Sequence, residues 1–392
     1  MIRGARQLLT LRGPVGIRRG AFLQDLGIIE DGAVLIRNGV IQHVGPSRRV
    51  ENLKEAQRAF VISANGRVVM PGLVDSSLRL MVSDAITLKR VGVAKTLQEA
   101  KAVLRGSLHH GTTQAEIRAG GSSPESEYRA LRHSAKLGSA GGHVVRTWLI
   151  SPDASTSPQS ALSARLPFFE QIARKKLAKF VEVELGPEQA ATAGAIFDMA
   201  AKYRLGCKLA WRGPSSAAMM ELASRFRTHT ISHLSALDNR SRDALLQLPT
   251  LLSVVPGREL IQGDYDPIGT RRFLDEGGAI SIGSGYDRIH SPGFNLQMAI
   301  ALAVLRLRLT PEEAISSATM NAAHASGSAS QCGSLEAGKR ADLLLLNLND
   351  YRELPRQFGI NHVGMVIQGG GVVFNRTSLK TAKAQAHSAT DR

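Results

Sequence analysis

The sequence predicts an α/β fold: a (β/α)8 barrel with a small composite β-sandwich domain built from the two ends of the chain. Between residues 71 and 340, short apolar strands alternate with segments of helical periodicity, the pattern of parallel strands joined by right-handed crossovers. On either side of that stretch the pattern becomes strand-like, with hairpin signals. A chain of 392 residues suits one large barrel plus a small partner, because such barrels run near ~250 residues as single domains.

Taken in order, residues 1–70 read as β. Residues 7–11 form a short strand, 27–38 alternate across an Asp31-Gly32 turn, and Asn38-Gly39 is a hairpin signal before a strand at 40–44. Residues 66–71 end this region. Helical periodicity follows around 96–109, 125–137, 188–203 and 214–226. Between and beyond these helices lie apolar strands at 114–117, 144–150, 180–183, 207–209, 230–232, 251–255 and 279–282. Thr310-Pro311-Glu312-Glu313 is a capping box with Pro at the first helical position, opening a helix that runs toward His324. Strands return at 341–347, 363–368 and 371–375. The expected domains are therefore 1–70 and 341–376 for the β-sandwich and 71–340 for the barrel. A polar, small-residue tail over 377–392 is expected to be disordered.

Apolar residues make up 43% of the chain and charged residues 21%, enough for a sizeable core, which excludes disorder throughout. Lys plus Arg is 49 against 33 for Asp plus Glu, a formal charge of +16. Such an excess suits a nucleic acid, an anionic ligand or simple solubility. The charges are scattered and only 5% of residues are aromatic, so no basic block interleaves with stacking rings and nucleic-acid binding is not expected. The two cysteines, Cys207 and Cys332, rule out a disulfide framework or a Cys-based zinc site. Residues 1–20 are basic without an apolar stretch, and nothing approaches the ~18 apolar residues of a membrane span. The expectation is a cytoplasmic protein with no membrane partner.

Several segments resemble one family. Val69-Met70-Pro71-Gly72-Leu73-Val74-Asp75 resembles the PG-φ-V-D strand that opens the TIM-type barrel of the amidohydrolase superfamily, and residues 333–343 (GSLEAGKRADL) resemble its returning segment. Two further stretches narrow the resemblance to imidazolonepropionase, the ring-opening hydrolase of histidine degradation. Residues 111–118 (GTTQAEIR) resemble its GTTTxExKSGYG strand, and 351–361 (YRELPRQFGIN) its late tyrosine-to-FGxN stretch. The likeness covers nearly the whole chain. It implies a divalent zinc or iron at the C-terminal ends of the strands, activating a water against a ring carbonyl, and it implies dimers.

Residue by residue, that ligand set is mostly replaced. The two imidazoles of the first strand, which share a face because alternate residues do, align with Ser77 and Arg79. The fifth-strand histidine aligns with Ala210, and the late aspartate with Gly285; a register shift of two would bring Asp287 there instead. Serine is a poor zinc ligand and a guanidinium repels the metal. One site histidine survives: His233, in Ile231-Ser232-His233-Leu234, matches the signature whose imidazole contacts the attacking water or substrate. Arg118 keeps the cation of the family's K-S-G-Y-G stretch, while its ring-contacting Tyr is Gly121. His229 lies ~13 Å of strand from His233, too far to share an ion, whereas His290 follows the last strand and could approach it.

These readings converge on an imidazolonepropionase-like pseudoenzyme without cofactor, with a small anion or cyclic amide binding near Arg79, Arg118 and Glu116. Arg79 finds its counter-charge either in that anion or in a carboxylate such as Asp75 or Glu116. The alternative is a hydrolase of cyclic amides or amidines, rerouted through His233 as base. The expected partners are a second copy of the chain or a related active one.

Overall fold

A computed structural model of the chain describes residues 1–83, 93–138, 142–263, 266 and 268–376. The expected tail over 377–392 lies outside the described residues. The strands begin with β1 (Ile2–Leu9), β2 (Ile28–Arg37), β3 (Val40–Pro46), β4 (Ile62–Ser63) and β5 (Val68–Pro71). The barrel strands follow: β6 (Leu73–Ser83), β7 (Thr112–Gly121), β8 (His143–Ile150), β9 (Phe180–Leu185), β10 (Gly206–Pro214), β11 (Thr230–Ala236), β12 (Leu251–Val254) and β13 (Ile280–Ile282). The short β14 (Tyr286–Asp287) precedes β15 (Leu343–Leu346), β16 (Val363–Gln368) and β17 (Gly371–Asn375).

β6 to β13 pair in sequence order, each parallel to the next. β14, three residues past β13, pairs in parallel with β6, Tyr286 opposite Leu78 and Asp287 opposite Arg79. The last strand thus reaches the first, and the ring closes as a TIM-type barrel. Helices such as Val93–His109, Pro124–Ser134, Ala190–Lys202 and Ala217–Phe226 form the crossovers, close to where periodicity placed them. Outward strand residues, among them Val181, Val183, Leu209, Ile231, Leu252 and Ile280, pack with helix residues such as Phe197 and Leu222 in the main core. Full burial of each such side chain is worth about 1.5–3 kcal/mol.

The other strands form one eight-stranded sheet joining both ends of the chain, in the order β17-β16-β15-β5-β1-β2-β3 with β4 beside β1. It folds over on itself, because Val34 and Ile41 share a core with Leu343, Leu345 and Ile367. Asn38 and Gly39 take φ of 52° and 78°, and this is the expected hairpin between β2 and β3. The expected Asp31-Gly32 turn is corrected: β2 runs straight through it. Asp31 takes φ 45° within the strand. A Cβ on Gly32 would lie 2.4 Å from Leu8 Cβ, so the pair makes room for β1 and does not reverse the chain.

The segment between β1 and β2 is tied to the barrel by buried polar groups. Asn321 donates from Nδ2 to Ile280 O (2.9 Å) and Arg18 O (3.1 Å), and accepts from Arg18 N (2.8 Å). The Arg18 guanidinium in turn donates to the carbonyls of Leu11, Phe22 and Asp25. Asn321→Ala would orphan three buried backbone groups, so a loss of about 3 kcal/mol is expected in urea unfolding. A loss under about 1 kcal/mol would mean that the anchor does not hold this segment.

Candidate functional site

Since outward residues alternate with inward ones, the same strands line the barrel axis with polar groups. Asp75, Ser77 and Arg79 come from β6, Glu116 and Arg118 from β7, and Thr147 from β8. Glu182 and Glu184 come from β9, Lys208 and Ala210 from β10, and Ser232, Ser253 and Ser281 from β11 to β13. All but Arg79 are buried. Barrels of this kind usually fill their interior with branched apolar side chains, and charges there persist only when paired.

The lower pairing joins β7 to β10. Lys208 Nζ lies 2.6 and 2.5 Å from the two Glu116 oxygens, and Thr147 Oγ1 donates to Glu116 Oε1 at 2.7 Å. The ammonium also sits 4.5 Å from the centre of the Phe180 ring. Burial pushes the Lys208 pKa down, against the attraction of Glu116. Beside this pair, Arg118 Nε lies 2.8 Å from Glu182 Oε2. The contact is close but not an aligned hydrogen bond: Arg118 Nη2 and both Glu182 oxygens have no such partner among the described residues. Burial raises the Glu182 pKa and Arg118 opposes it.

The upper layer is organised by Glu184, whose side chain is 2% exposed. Arg79 Nη2 meets its Oε2 at 2.5 Å, Arg212 Nη2 meets its Oε1 at 2.9 Å, and Ser151 Oγ donates to Oε2 at 3.0 Å. Burial alone would raise its pKa, but the neighbouring guanidinium groups, Arg79 foremost, overcome burial and hold it down to about 2. His233 Nδ1 lies 4.0 Å from Glu184 Oε1. Arg258 Nη1 approaches from the helix Pro256–Gln262, 2.9 Å from His233 Nε2 and 3.1 Å from Nδ1. A guanidinium only donates, so the imidazole accepts and must be neutral. Burial, and Arg258 next, indeed hold the His233 pKa well below its usual value. His233 takes φ 66°, a left-handed conformation uncommon for a residue with a side chain, at the point within β11 where its register against β10 shifts. A pocket of about 340 Å³ opens beside it, lined by Arg212, Ser232, His233, Ser253, Arg258 and Gln262 among others.

The structure therefore gathers His233, Arg79 and Arg118 at one mouth of the barrel, while Glu116 lies beneath them with its oxygens taken by Lys208 and Thr147. The expected counter-ion of Arg79 is corrected: it is Glu184, from across the barrel, and neither Asp75 nor Glu116. Asp75 Oδ1 instead accepts from Ser77 N and Ser284 N, both at 3.1 Å, and burial raises its pKa. Asp287 Oδ1 caps a turn by accepting from Ile289 N and His290 N. His290 is exposed there, and neither residue lines the pocket beside His233.

The residues aligned with metal ligands do not fit a divalent ion. Arg79 is committed to Glu184 and Ala210 offers no donor. Gly285 takes φ 63°, and a Cβ there would lie 1.9 Å from Val255 Cγ1. Among the described residues, no group of three or more His, Cys, Asp or Glu side chains could hold a metal ion, and no helix is long and apolar enough to cross a membrane.

A closed parallel barrel, a second sheet shared by both termini and a polar centre at the strand ends define an amidohydrolase architecture. The chain matches the Amidohydrolase family over residues 68–373 and belongs to it. Within the family it is similar to imidazolonepropionases. That of Brevibacillus brevis is 28% identical, with 95% of this chain and 97% of that one covered. That of Bacillus velezensis is 27% identical, with 94% and 96% covered. Among solved structures, A. niger ochratoxinase superposes with a TM-score of 0.72 at 16% identity, covering 95% of each chain. E. coli guanine deaminase gives 0.69 at 16% identity, covering 96% of this chain and 99% of that one. These two likenesses establish the fold.

Two predictions follow from the charges. The Glu184 pKa lies below its unfolded value, so its contribution is complete above about pH 5 and fades as pH falls toward 2. Urea unfolding should put wild type about 3 kcal/mol above Glu184→Gln at neutral pH, with the gap closing in acid. A gap independent of pH would mean that Glu184 is not held as an anion. The His233 ring, for its part, should show no titration by NMR between pH 5 and 8; a midpoint near 6.5 would contradict a neutral acceptor of Arg258.

Proposed function

We propose that this chain is a catalytically impaired imidazolonepropionase-like amidohydrolase. In this reading the family's metal site has been lost, and the strand-end pocket binds a small anion without turning it over. The observation that carries the reading is the Arg79–Glu184–Arg212 cluster, which fills the place where the family gathers imidazoles around an ion. Each substituted ligand removes affinity by orders of magnitude, so the four together leave no site. The anion would sit beside His233, against Arg258 and Arg212, where the neutral imidazole adds no charge. Arg118 and Arg79 support that positive field from below and from the side. Self-association, or pairing with a related active chain, belongs to the same proposal, as does a cytoplasmic location.

A second reading is favoured by the φ of 66° at His233. A neutral imidazole held in a strained conformation over a pocket is suited to act as a general base on a cyclic amide or amidine. Such a base contributes about 10²–10⁴-fold, without the pull on the carbonyl that a metal supplies.

Metal content measured by mass spectrometry, after incubation with excess zinc or iron and desalting, separates these possibilities from a working metalloenzyme. The expected result is well under 0.1 equivalent per chain and no ring opening of imidazolone propionate. Near one equivalent retained would overturn the proposal. Metal-free turnover abolished by His233→Ala would establish the second reading.

A further inference from the structure

A cavity of about 990 Å³ lies at the opposite end of the barrel from the site above. Its lining includes His229, which immediately precedes β11, and Leu251, the first residue of β12. This is the N-terminal mouth, the face to which barrels of this kind give stability rather than chemistry. One wall is the segment from Gly13 to Ile17, and the anchoring of Arg18 by Asn321 and three carbonyls keeps that wall in place before any ligand arrives.

The charges here are poorly balanced. Three cations, Arg19, Arg227 and Lys339, line the cavity against one carboxylate, Glu336. Lys339 is paired with Glu336 at 3.3 Å. Arg19 donates to the carbonyls of Leu248 (2.5 Å) and Gly277 (3.3 Å), and neither it nor Arg227 has a carboxylate within ion-pair distance among the described residues. A guanidinium held by neutral carbonyls keeps both its charge and unused N–H groups. Two imidazole nitrogens in the lining, His229 Nδ1 and His324 Nε2, are buried without a hydrogen-bond partner among the described residues. The rest of the lining is largely apolar, with Ile17, Leu248 and Met320 among it. An apolar pocket with a few convergent polar groups is what a ligand site looks like, and its volume falls within the usual range.

We propose that the N-terminal mouth binds an amphipathic carboxylate, its head at Arg19 and Arg227 and its apolar body against Ile17, Leu248 and Met320. The site is separate from the strand-end pocket, and does not depend on whether that pocket binds or catalyses.

The test is isothermal titration of the full chain with decanoate and, separately, with decan-1-ol, both below their aggregation limits. One equivalent of decanoate is expected, bound at least ~10-fold more tightly than the alcohol, as a charge-assisted contact requires. Arg227→Gln, at an exposed position, should weaken decanoate ~10-fold and leave the alcohol unchanged. Arg19→Gln should do the same, with thermal melting confirming that it folds. Ala329→Trp, which fills the cavity, should abolish both. No saturable heat, equal affinity for acid and alcohol, or decanoate binding indifferent to Arg227→Gln would each overturn the proposal.

Discussion

A carboxylate buried among guanidinium groups sets the conditions for the rest of this barrel. Glu184 meets Arg79 and Arg212 directly and lies within 4.0 Å of His233. Remove its charge and at least two cations are left at the barrel mouth without compensation, a far larger penalty than the net value of the pairs themselves. The geometry adds a mechanical consequence. β6 and β9 are not neighbours in the sheet, and neither are β7 and β10. The Arg79–Glu184 and Lys208–Glu116 pairs therefore cross the barrel axis and brace strands that backbone hydrogen bonds do not join.

This bracing bears on how the chain relates to its family. A metal bound by imidazoles and a carboxylate would concentrate positive charge at one point of the strand ends. Here positive charge is distributed over Arg79, Arg118, Arg212 and Arg258, and the anions that balance it belong to the protein. The centre is thus internally neutralised in large part, and His233 sits at its edge as a hydrogen-bond acceptor. Arg79, Arg118 and Arg212 are committed to carboxylates and have little field left for a developing charge, whereas Arg258 donates to the neutral His233 and keeps its charge at the pocket.

Much of this architecture was legible in the sequence, because periods of two and 3.6 residues survive any change of site chemistry. The barrel strands β7 to β13 and the β15–β17 segment lie where the apolar pattern placed them, whereas β6 was indicated by the family resemblance alone. Asp31-Gly32 misled because a strand can absorb a left-handed residue when a partner strand needs the space. The site was legible only in part. His233, Arg79 and Arg118 could be found by resemblance, but Glu184 could not be matched to Arg79 at a sequence separation of 105. A signal was nevertheless present: Glu182 and Glu184 alternate with Val181, Val183 and Leu185 in β9, which puts both acids on the inner face. Arg258 carried no comparable signal, since it comes from a helix after β12 and reaches back to the imidazole.

The packing at Gly285 makes any rebuilding of the site conditional. An aspartate placed at that position meets the Val255 side chain and an unfavourable backbone conformation, whatever stands at Ser77, Arg79 or Ala210. A carboxylate there would first need Val255 reduced and the turn after β13 reshaped. Histidine in place of Arg79, made alone, would strip Glu184 of a partner and gain nothing. Substitutions at these positions are therefore coupled, each through the packing and the charge pairing of its neighbours.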